Sequence, residues 1–271
     1  MPHAGAPELL RSRVLDAIGV PHAFTTRRGG VSSGIFSSLN FGNPSDLAPD
    51  RRDSVSNIRA NLRLVSGAIE PRPGVPEREI VEVHQVHAAA VHTVRPSTPP
   101  HVDPSPKADA IVTDDPRRFA AVRTADCAPV LLASSDGRVV AAVHAGWRGV
   151  IAGVANNAVQ RMIERGASDI VGAIGPCIGA DHFEVGPEVR DEFDRVFGSG
   201  AAIVRPAPGC GEDKYLVDLK EALRRQLSSR GLRSIETLPH CTVRDADLFF
   251  SHRRERGMTG RMIGIIGPRA H

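Results

Sequence analysis

The chain has 271 residues, 41% hydrophobic and 24% charged, which are ordinary proportions for a globular protein. No run approaches the roughly 18 apolar residues that a membrane-spanning helix needs, and the N-terminus lacks the apolar core of a signal peptide, so we expect a cytoplasmic protein without a membrane partner. The net charge is +3 and only 4% of residues are aromatic, which argues against nucleic acid as a partner.

The N-terminal part is predicted to contain a polar loop and one helix. Residues 1–20 are expected to be peripheral, and residues 21–271 to form a single domain. Residues 23–42 are rich in Gly, Ser and Arg, which indicates a loop that holds polar groups, with a short strand at 23–26. Apolar residues at helical spacing predict a helix over 54–64.

The middle of the chain is predicted to consist of strands joined by Pro-rich connections at 67–79 and 96–107. Strand character is seen at 80–94, 108–114, 128–134 and 138–145. The last two segments flank Ser135-Asp136-Gly137, a turn signal, and we therefore predict a β-hairpin.

The remainder of the chain mixes helices and strands without regular βαβ alternation and without repeats. Helices are predicted at 148–166, 187–198 and 215–232, and strands at 169–179 and 261–267. This order predicts an α/β fold, with α+β as the alternative, in which mixed β-sheets are flanked by helices in layers.

The predicted hairpin brings a cysteine and a histidine together. It is nearly symmetric about Asp136, so Cys127 and His144 are expected opposite or diagonal to each other, with Cβ atoms roughly 5 to 8 Å apart. That distance suits two ligands of one metal ion, and it equally suits a thiolate nucleophile with its imidazole base. The four cysteines are widely spaced without a CxxC pair, so no disulfide framework is expected, and Cys210 and Cys241 are interpreted as structural.

A second pair of histidines, in the segment VHQVH, offers a third ligand. In an extended chain His84 and His87 point to opposite faces, so only one of them can join the cysteine and the histidine. A His/Cys/His set leaves one tetrahedral position open, as in catalytic zinc sites. A cysteine nucleophile would instead need an Asn or Asp that orients the histidine, and Asp126, as the next-door neighbour of Cys127, is expected to diverge from it.

Four segments, TADCAPVLL, VHAGWRG, QVH and IGPCIG, resemble the YfiH-like family, long labelled multicopper polyphenol oxidase or laccase-domain proteins. Members are also described as purine nucleoside phosphorylases with adenosine deaminase activity. The resemblance covers roughly residues 22–268 and implies zinc ligands at His87, Cys127 and His144. It also implies that a purine nucleoside (adenosine, inosine, guanosine or methylthioadenosine) and phosphate are the substrates.

The sequence departs from the family pattern at three positions: Ala88 replaces a usual Gly, and Phe183 and His252 each replace a usual Tyr. The copper label is disfavoured, because a blue-copper site adds an axial Met and none of the four methionines lies beside the ligand segments. The chain also lacks the HxH pairs of multicopper centres. We expect zinc.

Phosphorolysis requires groups that bind an anion, and guanidinium groups suit phosphate. Arg27 in the glycine-rich loop and Arg148 after the zinc histidine are the candidates, with solvated surface charge as the alternative. Asn40 is a candidate ligand of ribose or base, with turn capping as the alternative.

Deamination requires a proton shuttle, for which Asp126, with Cys127 beside it, is the candidate; capping is the rival role. Cys177 either lines the pocket or packs against it, and Trp147 either stacks on a purine or packs under the hairpin. Two rival functions remain: a cysteine-type hydrolase or amidase acting on peptidoglycan fragments, and a non-catalytic zinc protein. Homodimer formation is left open.

Overall fold

Three β-sheets organise the part of the chain that the computed structural model describes, which comprises residues 5–70, 77–98, 105–200, 202–208 and 213–270. Five strands form the first sheet, in the spatial order β1 (Leu9–Leu10), β2 (His22–Thr25), β14 (Met262–Ile266), β6 (Arg118–Thr124) and β3 (Glu79–Val81). Strand β3 runs parallel to β6, whereas the other neighbours are antiparallel. The sheet is therefore mixed, as predicted.

The second sheet is also mixed and carries the predicted hairpin at its centre. Its order is β13 (Ile235–Thr237), β9 (Val171–Ile174), β7 (Ala128–Ala133), β8 (Val140–Ala145), β5 (Ala110–Thr113) and β4 (Val91–Val94). The outer pairs β13/β9 and β5/β4 are parallel, and the inner pairs are antiparallel. A small antiparallel third sheet contains β10 (Glu184–Val185), β12 (Tyr215–Val217) and β11 (Val204–Pro206).

The described residues also contain two short 3-10 helices, at Gly34–Phe36 and Pro49–Arg51, and six α-helices: α1 (Arg13–Ala17), α2 (Val55–Ile69), α3 (Trp147–Ile151), α4 (Val154–Glu164), α5 (Pro187–Phe197) and α6 (Leu219–Ser229). Helix α2 begins where the hydroxyl of Ser54 accepts a hydrogen bond from the N–H of Asn57, and α6 begins where Asp218 accepts one from Glu221. Each cap satisfies a backbone donor that the helix leaves unpaired. Among these helices, none has the length and apolar character needed to cross a membrane.

The two large sheets have buried side chains on both faces, so the sheets and helices stack in four layers. In β8, Ala141 and Val143 face α3 to α6, whereas Val140 and Ala142 face the first sheet. The opposite face of the first sheet packs against α2 through residues such as Ile265. The order is thus α2, first sheet, second sheet and α3 to α6, which confirms the predicted mixed sheets flanked by helices.

Three predicted elements differ from the structure. The helix predicted over 148–166 is divided at Gly153, whose φ of 77° interrupts the helical backbone between α3 and α4. The helix predicted over 215–232 starts only after Asp218, because residues 215–217 pair as β12. The strand predicted over 80–94 is β3 and β4 with an irregular loop between them.

The segment expected to be peripheral contributes β1 to the first sheet and the fully buried Leu15 to the core between the sheets. Strand β6, at 118–124, was not predicted. The two Pro-rich connections lie partly, and Cys210 wholly, outside the described residues.

Candidate metal centre and its cavity

One edge of the second sheet collects four chemically useful residues from four neighbouring strands. Cys127 precedes β7, His144 lies near the end of β8, Asp109 precedes β5, and the loop before β4 carries His87. Because β8 is antiparallel to β7 and β5, and β4 is parallel to β5, these positions meet at the same edge. The ligand atoms of His87, Cys127 and His144 all lie within 4.8 Å of one another.

The hairpin register explains how Cys127 reaches His144. Pro129 pairs with His144 and Ala128 with Ala145, so Cys127 is diagonal to His144 on the same face of the sheet. The expected proximity is confirmed. The ring of His87 meets the ring of His144 edge-on, with centroids 4.9 Å apart.

His87 joins the cluster for a reason other than strand geometry. The loop between β3 and β4 is irregular, and His87 itself has a φ of 58°, in the left-handed region that side chains other than Gly rarely adopt. His84 forms an isolated bridge with Lys107 instead; it lines the nearby cavity without joining the cluster. As predicted, only one of the two histidines joins the cluster, and it is His87. The cause is the irregular loop, however, and not the alternation of side chains along a strand.

A buried carboxylate, Asp109, supports two members of the cluster. It accepts hydrogen bonds from Nδ1 of His144 at 2.8 Å and from the backbone N–H of His87 at 2.9 Å, both at Oδ1. The sequence interpretation missed this residue. Asp109 lies in the predicted strand 108–114, but its hydrogen-bond partner His144 is 35 residues away in the chain and could not be identified by spacing.

The cluster shifts the pKa values of its own members. Burial raises the pKa of the Cys127 thiol, but the charge of His144 and hydrogen bonds from His144 and His87 outweigh burial and lower it from 9.0 to about 6. Burial lowers the pKa of His144, whereas the Cys127 thiolate and Asp109 raise it, with the net result of about 9. Without a metal, the thiolate of Cys127 and the imidazolium of His144 therefore stabilise each other. A metal would displace the proton from the imidazole.

The donor set and the space around it fit a metal ion. Two imidazole nitrogens and one thiolate sulfur are a donor combination found in catalytic zinc sites with an open fourth position. Gly146 leaves this place open, since a Cβ at that residue would stand 3.0 Å from the sulfur of Cys127 and 3.1 Å from Cδ2 of His87.

A cavity of about 680 Å³ opens beside the cluster, within the usual range for small-molecule sites. One part of its lining is basic and consists of Arg123, Arg148, Arg253 and Arg261. Another part is apolar and consists of Trp147, Ile178, Phe183 and Leu219. His252 also lines it, so two of the three departures from the family pattern, Phe183 and His252, lie in the cavity wall.

The four arginines of the cavity have guanidinium donors that are not used within the described residues. Arg148 is exposed, makes no hydrogen bond or ion pair through its guanidinium within those residues, and lies over the ring of Trp147, with the guanidinium carbon 4.4 Å from the ring centroid. Arg261 donates from Nη1 to the carbonyls of Thr259 and Gly260 and has no carboxylate within 4 Å in the part of the chain that the structure describes, and burial lowers its pKa. Arg123 lies 3.6 Å from Glu82 and donates from Nη2 to the carbonyl of Val83, and Arg253 donates from Nη2 to the carbonyl of Glu184. The sequence interpretation identified Arg148 but missed Arg123 and Arg261, which come from the ends of β6 and β14 in the other sheet.

The structure does not bring Arg27, Asn40 or Cys177 into this cavity. Arg27 lies over the ring of Phe250 at 4.4 Å and 3.6 Å from Glu255. Asn40 is fully buried, and its Oδ1 accepts the backbone N–H groups of residues 42 and 261. Cys177 is fully buried, and burial raises its pKa to about 12. These contacts favour capping and packing, and the binding roles expected for the three residues stay predictions without geometric support.

Asp126 borders the cavity, but its carboxylate is occupied elsewhere. Oδ1 accepts from the hydroxyl of Thr242 at 2.5 Å, and Oδ2 accepts from the hydroxyl of Ser251 and the backbone N–H of Arg253. Its φ is 83°, in the left-handed region that residues other than Gly rarely adopt. This geometry favours the rival capping role: Asp126 anchors the loop that presents His252 and Arg253 to the cavity.

Comparisons with known proteins agree over almost the whole chain. Residues 21–269 match the family model described as multi-copper polyphenol oxidoreductase laccase. The chain is 36% identical over 249 residues to the purine nucleoside phosphorylase YfiH of Escherichia coli, covering 92% of this chain and 93% of that protein. It is 34% identical over 252 residues to a purine nucleoside phosphorylase of Deinococcus radiodurans, covering 92% and 90%.

A solved structure with the same fold is that of the Bacillus licheniformis hypothetical protein YfiH. It has a TM-score of 0.84 and 31% identity, and 97% of each chain is covered. The structure of YlmD from Geobacillus stearothermophilus gives a TM-score of 0.79 at 32% identity, with 93% of each chain covered. The resemblance to the YfiH-like family and the mixed α/β fold predicted from the order of elements are both confirmed.

Proposed function

The chain belongs to the multi-copper polyphenol oxidoreductase laccase family that includes the YfiH proteins, and from this premise we propose that it is a zinc-dependent purine nucleoside phosphorylase that also deaminates adenosine. One observation carries the proposal: a single cavity is lined by the His-Cys-His cluster, by four arginines with unused donors and by an apolar wall. Adenosine, inosine, guanosine and methylthioadenosine are the proposed nucleosides. The relatives' name, purine nucleoside phosphorylase, supports this substrate class.

In phosphorolysis, an oxygen of phosphate forms a bond to C1′ of the ribose while the bond from C1′ to the purine nitrogen breaks. The electron pair leaves with the purine, which takes up a proton. Arg123, Arg148 and Arg261 would bind the phosphate, because guanidinium groups donate hydrogen bonds in pairs to phosphate oxygens. Their positive charge also stabilises the attacking anion in a partly enclosed site, where electrostatic interactions are stronger than in water.

The apolar wall suits the purine. Phe183 and Trp147 present aromatic rings, and Ile178 and Leu219 add aliphatic surface. His252 lines the cavity and lies outside the metal cluster, and we assign to it the donation of the proton to the departing base. In deamination, water replaces the 6-amino group of adenosine and ammonia leaves, and the same histidine would exchange the protons of this reaction.

His87, Cys127 and His144 would hold the metal. When bound, zinc would supply a Lewis acid beside the basic wall that polarises an oxygen of the substrate or of water. Zinc is favoured over copper, because among the described residues no methionine lines the cavity to serve as the axial ligand of a blue-copper site.

The direct test is to incubate purified protein with adenosine or inosine, with and without phosphate, and to analyse the products and the metal content. We expect ribose 1-phosphate and free base only with phosphate, and inosine from adenosine in either condition. His87→Ala should lose the metal, whereas His84→Ala, three residues away and outside the cluster, should retain it. Absence of all these products with a metal-loaded sample would refute the proposal.

A second candidate function is favoured by one observation. Cys127, His144 and Asp109 lie in series, as do the thiolate, base and orienting carboxylate of cysteine hydrolases. The rival is therefore a cysteine-type hydrolase or amidase acting on peptidoglycan fragments. It predicts that removing the metal leaves the activity intact, and that muropeptides rather than nucleosides are turned over. Assaying metal-free and zinc-loaded protein on both substrate classes separates the two functions.

A further inference from the structure

Asp109 joins the two histidines of the metal cluster through one carboxylate. Oδ1 accepts both the imidazole Nδ1–H of His144, at 2.8 Å, and the backbone N–H of His87, at 2.9 Å. Oδ2 accepts the backbone N–H groups of Ala88, at 2.7 Å, and of Val86, at 3.3 Å. The side chain of His144 and the backbone of His87 are thus both hydrogen-bonded to the same carboxylate.

The main chain of Asp109 adds a further constraint on His144. The N–H of His144 donates to the carbonyl of Asp109 at 2.7 Å, because the two residues are adjacent across the β5/β8 ladder. The N–H of Asp109 in turn donates to the carbonyl of Ala90, at the end of the loop that carries His87. The backbone of Asp109 is therefore hydrogen-bonded to His144 on one side and to the loop of His87 on the other.

The contacts of Asp109 require an acceptor at both oxygens. The side chain is fully buried, and three of its four partners are backbone N–H groups, one at Oδ1 and two at Oδ2. An ionised carboxylate accepts from donors at both oxygens, whereas a protonated acid or an amide would turn a donor of its own towards one of these N–H groups. Nδ1 of His144, the fourth partner, therefore faces an acceptor, so neutral His144 carries its proton at Nδ1 and leaves Nε2 as the ligand atom.

The loop of His87 explains why such a support is needed. His87 has a φ of 58° and an exposed side chain, and no regular strand holds its backbone. Three consecutive N–H groups, of residues 86, 87 and 88, converge on Asp109 and offset the cost of that conformation.

We propose that Asp109 is the positioning residue of the metal centre: it selects the Nε2 ligand form of His144 and holds the loop that presents His87. The inference rests on the metal site of the proposed function, but not on the reaction that occurs there. Groups in this position outside the metal ligands commonly affect metal affinity by about 10- to 100-fold.

The first test measures metal affinity of Asp109→Asn by competition with a chelator, for zinc and for cobalt. We expect affinity to fall about 10- to 100-fold, because the amide nitrogen faces N–H donors whichever way it is turned. The absorption of the cobalt-loaded protein should also change, since the histidines and the Cys127 thiolate no longer meet the metal in the same geometry.

Asp53→Asn is the matched control. Asp53 is likewise buried and accepts four hydrogen bonds, from the hydroxyl of Ser32, the amides of Asn40 and Asn57, and the backbone of Ser54, but it does not line the cavity. Both variants should lose thermal stability, and only Asp109→Asn should lose metal affinity and alter the cobalt spectrum. Equal metal affinity in the wild type and Asp109→Asn would overturn the inference.

A second measurement uses the wild-type protein and so does not depend on the folding of a variant. With ¹⁵N-labelled histidine, NMR of the zinc-loaded protein should show His144 protonated at Nδ1 and bound through Nε2. Binding through Nδ1 would overturn the inference. If these results hold while no nucleoside is turned over, the positioning role stands and only the proposed reaction fails.

Discussion

Gly146 lies directly across the hairpin from Cys127, and the absence of a side chain there leaves the thiolate uncovered. A Cβ on Gly146 would stand 3.0 Å from Sγ of Cys127 and 3.1 Å from Cδ2 of His87. The backbone does not itself require glycine, because φ is −73° and ψ is 167°, an extended conformation that any residue adopts. Glycine is therefore needed at this position because a side chain would crowd Cys127 and His87, and not because of the backbone conformation.

Gly146→Ala should weaken metal binding without preventing folding. Overpacking typically costs about 1–3 kcal/mol, and if this cost falls on the loaded cluster, affinity drops about 5- to 150-fold. Chelator competition measures the change. Gly67→Ala is the control, because a Cβ at Gly67 in α2 meets nothing within 4 Å, and this variant should bind metal as the wild type does. If Gly146→Ala bound metal with the affinity of the wild type, metal binding would not depend on the absence of a side chain at this position.

In metal-free protein at pH 7, Cys127 should react with iodoacetamide before the buried Cys177 and Cys241. His144 and His87 lower its pKa to about 6 despite burial, whereas burial raises that of Cys177 to about 12. Peptide mapping should show that zinc protects Cys127. The alkylation rate should follow the ionisation of the Cys127 thiol, so it should rise through about pH 6 and then level off. A rate that keeps rising towards pH 9 would show that the thiol has an ordinary pKa.

The local parts of the site could be predicted from sequence. Cys127 and His144 belong to one hairpin, so the turn at residues 135–137 predicts that the two residues are opposite or diagonal neighbours. In the structure they are diagonal neighbours. Helix α5 could also be predicted, because Pro187 marks its start and Gly198 follows its last residue. In these cases the interactions that decide the structure lie close together in the chain.

The parts decided by distant pairing could not be predicted. Asp109 reaches His144 only because β5 pairs with β8, and Arg261 reaches the cavity only because β14 lies beside β6. Residues 215–217 continue the helical periodicity of residues 218–232, but pairing with β10 and β11 makes them a strand. Sheet order therefore determines which of the sequence candidates meet.

The stability of the fold should fall with acid through His22. Its Nε2 accepts the N–H of Ser12 and its Nδ1 lies 2.8 Å from the carbonyl of Val20, so the buried ring is neutral, and burial lowers its pKa below 6.5. The unfolded chain then binds a proton that the folded chain does not as pH falls below about 6.5. Each pH unit in that window costs at most about 1.4 kcal/mol.

Urea unfolding at pH 8, 6.5 and 5.5 measures this dependence. His22→Gln keeps a donor and an acceptor but does not titrate, so its free energy of unfolding should fall less steeply below pH 6.5 than that of the wild type. The groups common to both proteins cancel in the comparison. Parallel curves would exclude His22 as the source of the acid sensitivity.

The arginines provide the sharpest contrast between the sequence interpretation and the structure. Arg261 lines the cavity, is without a carboxylate within 4 Å among the described residues, and interacts electrostatically with Cys127. Arg27, the arginine predicted from the glycine-rich loop, instead contacts Phe250 and Glu255. If the cavity binds phosphate, Arg261→Gln should raise the KM for phosphate about 10- to 100-fold, because a hydrogen bond to a charged group contributes about 1.5–3 kcal/mol.

Arg27→Gln distinguishes the two assignments in the same assay. The structure predicts a lower unfolding temperature for this variant, since its contacts with Phe250 and Glu255 are lost, and an unchanged KM for phosphate. A large rise in KM with Arg27→Gln and none with Arg261→Gln would restore the sequence-based assignment and place the phosphate outside this cavity. The KM for the nucleoside, measured at saturating phosphate, should change little in either variant, because the apolar wall proposed to bind the purine remains.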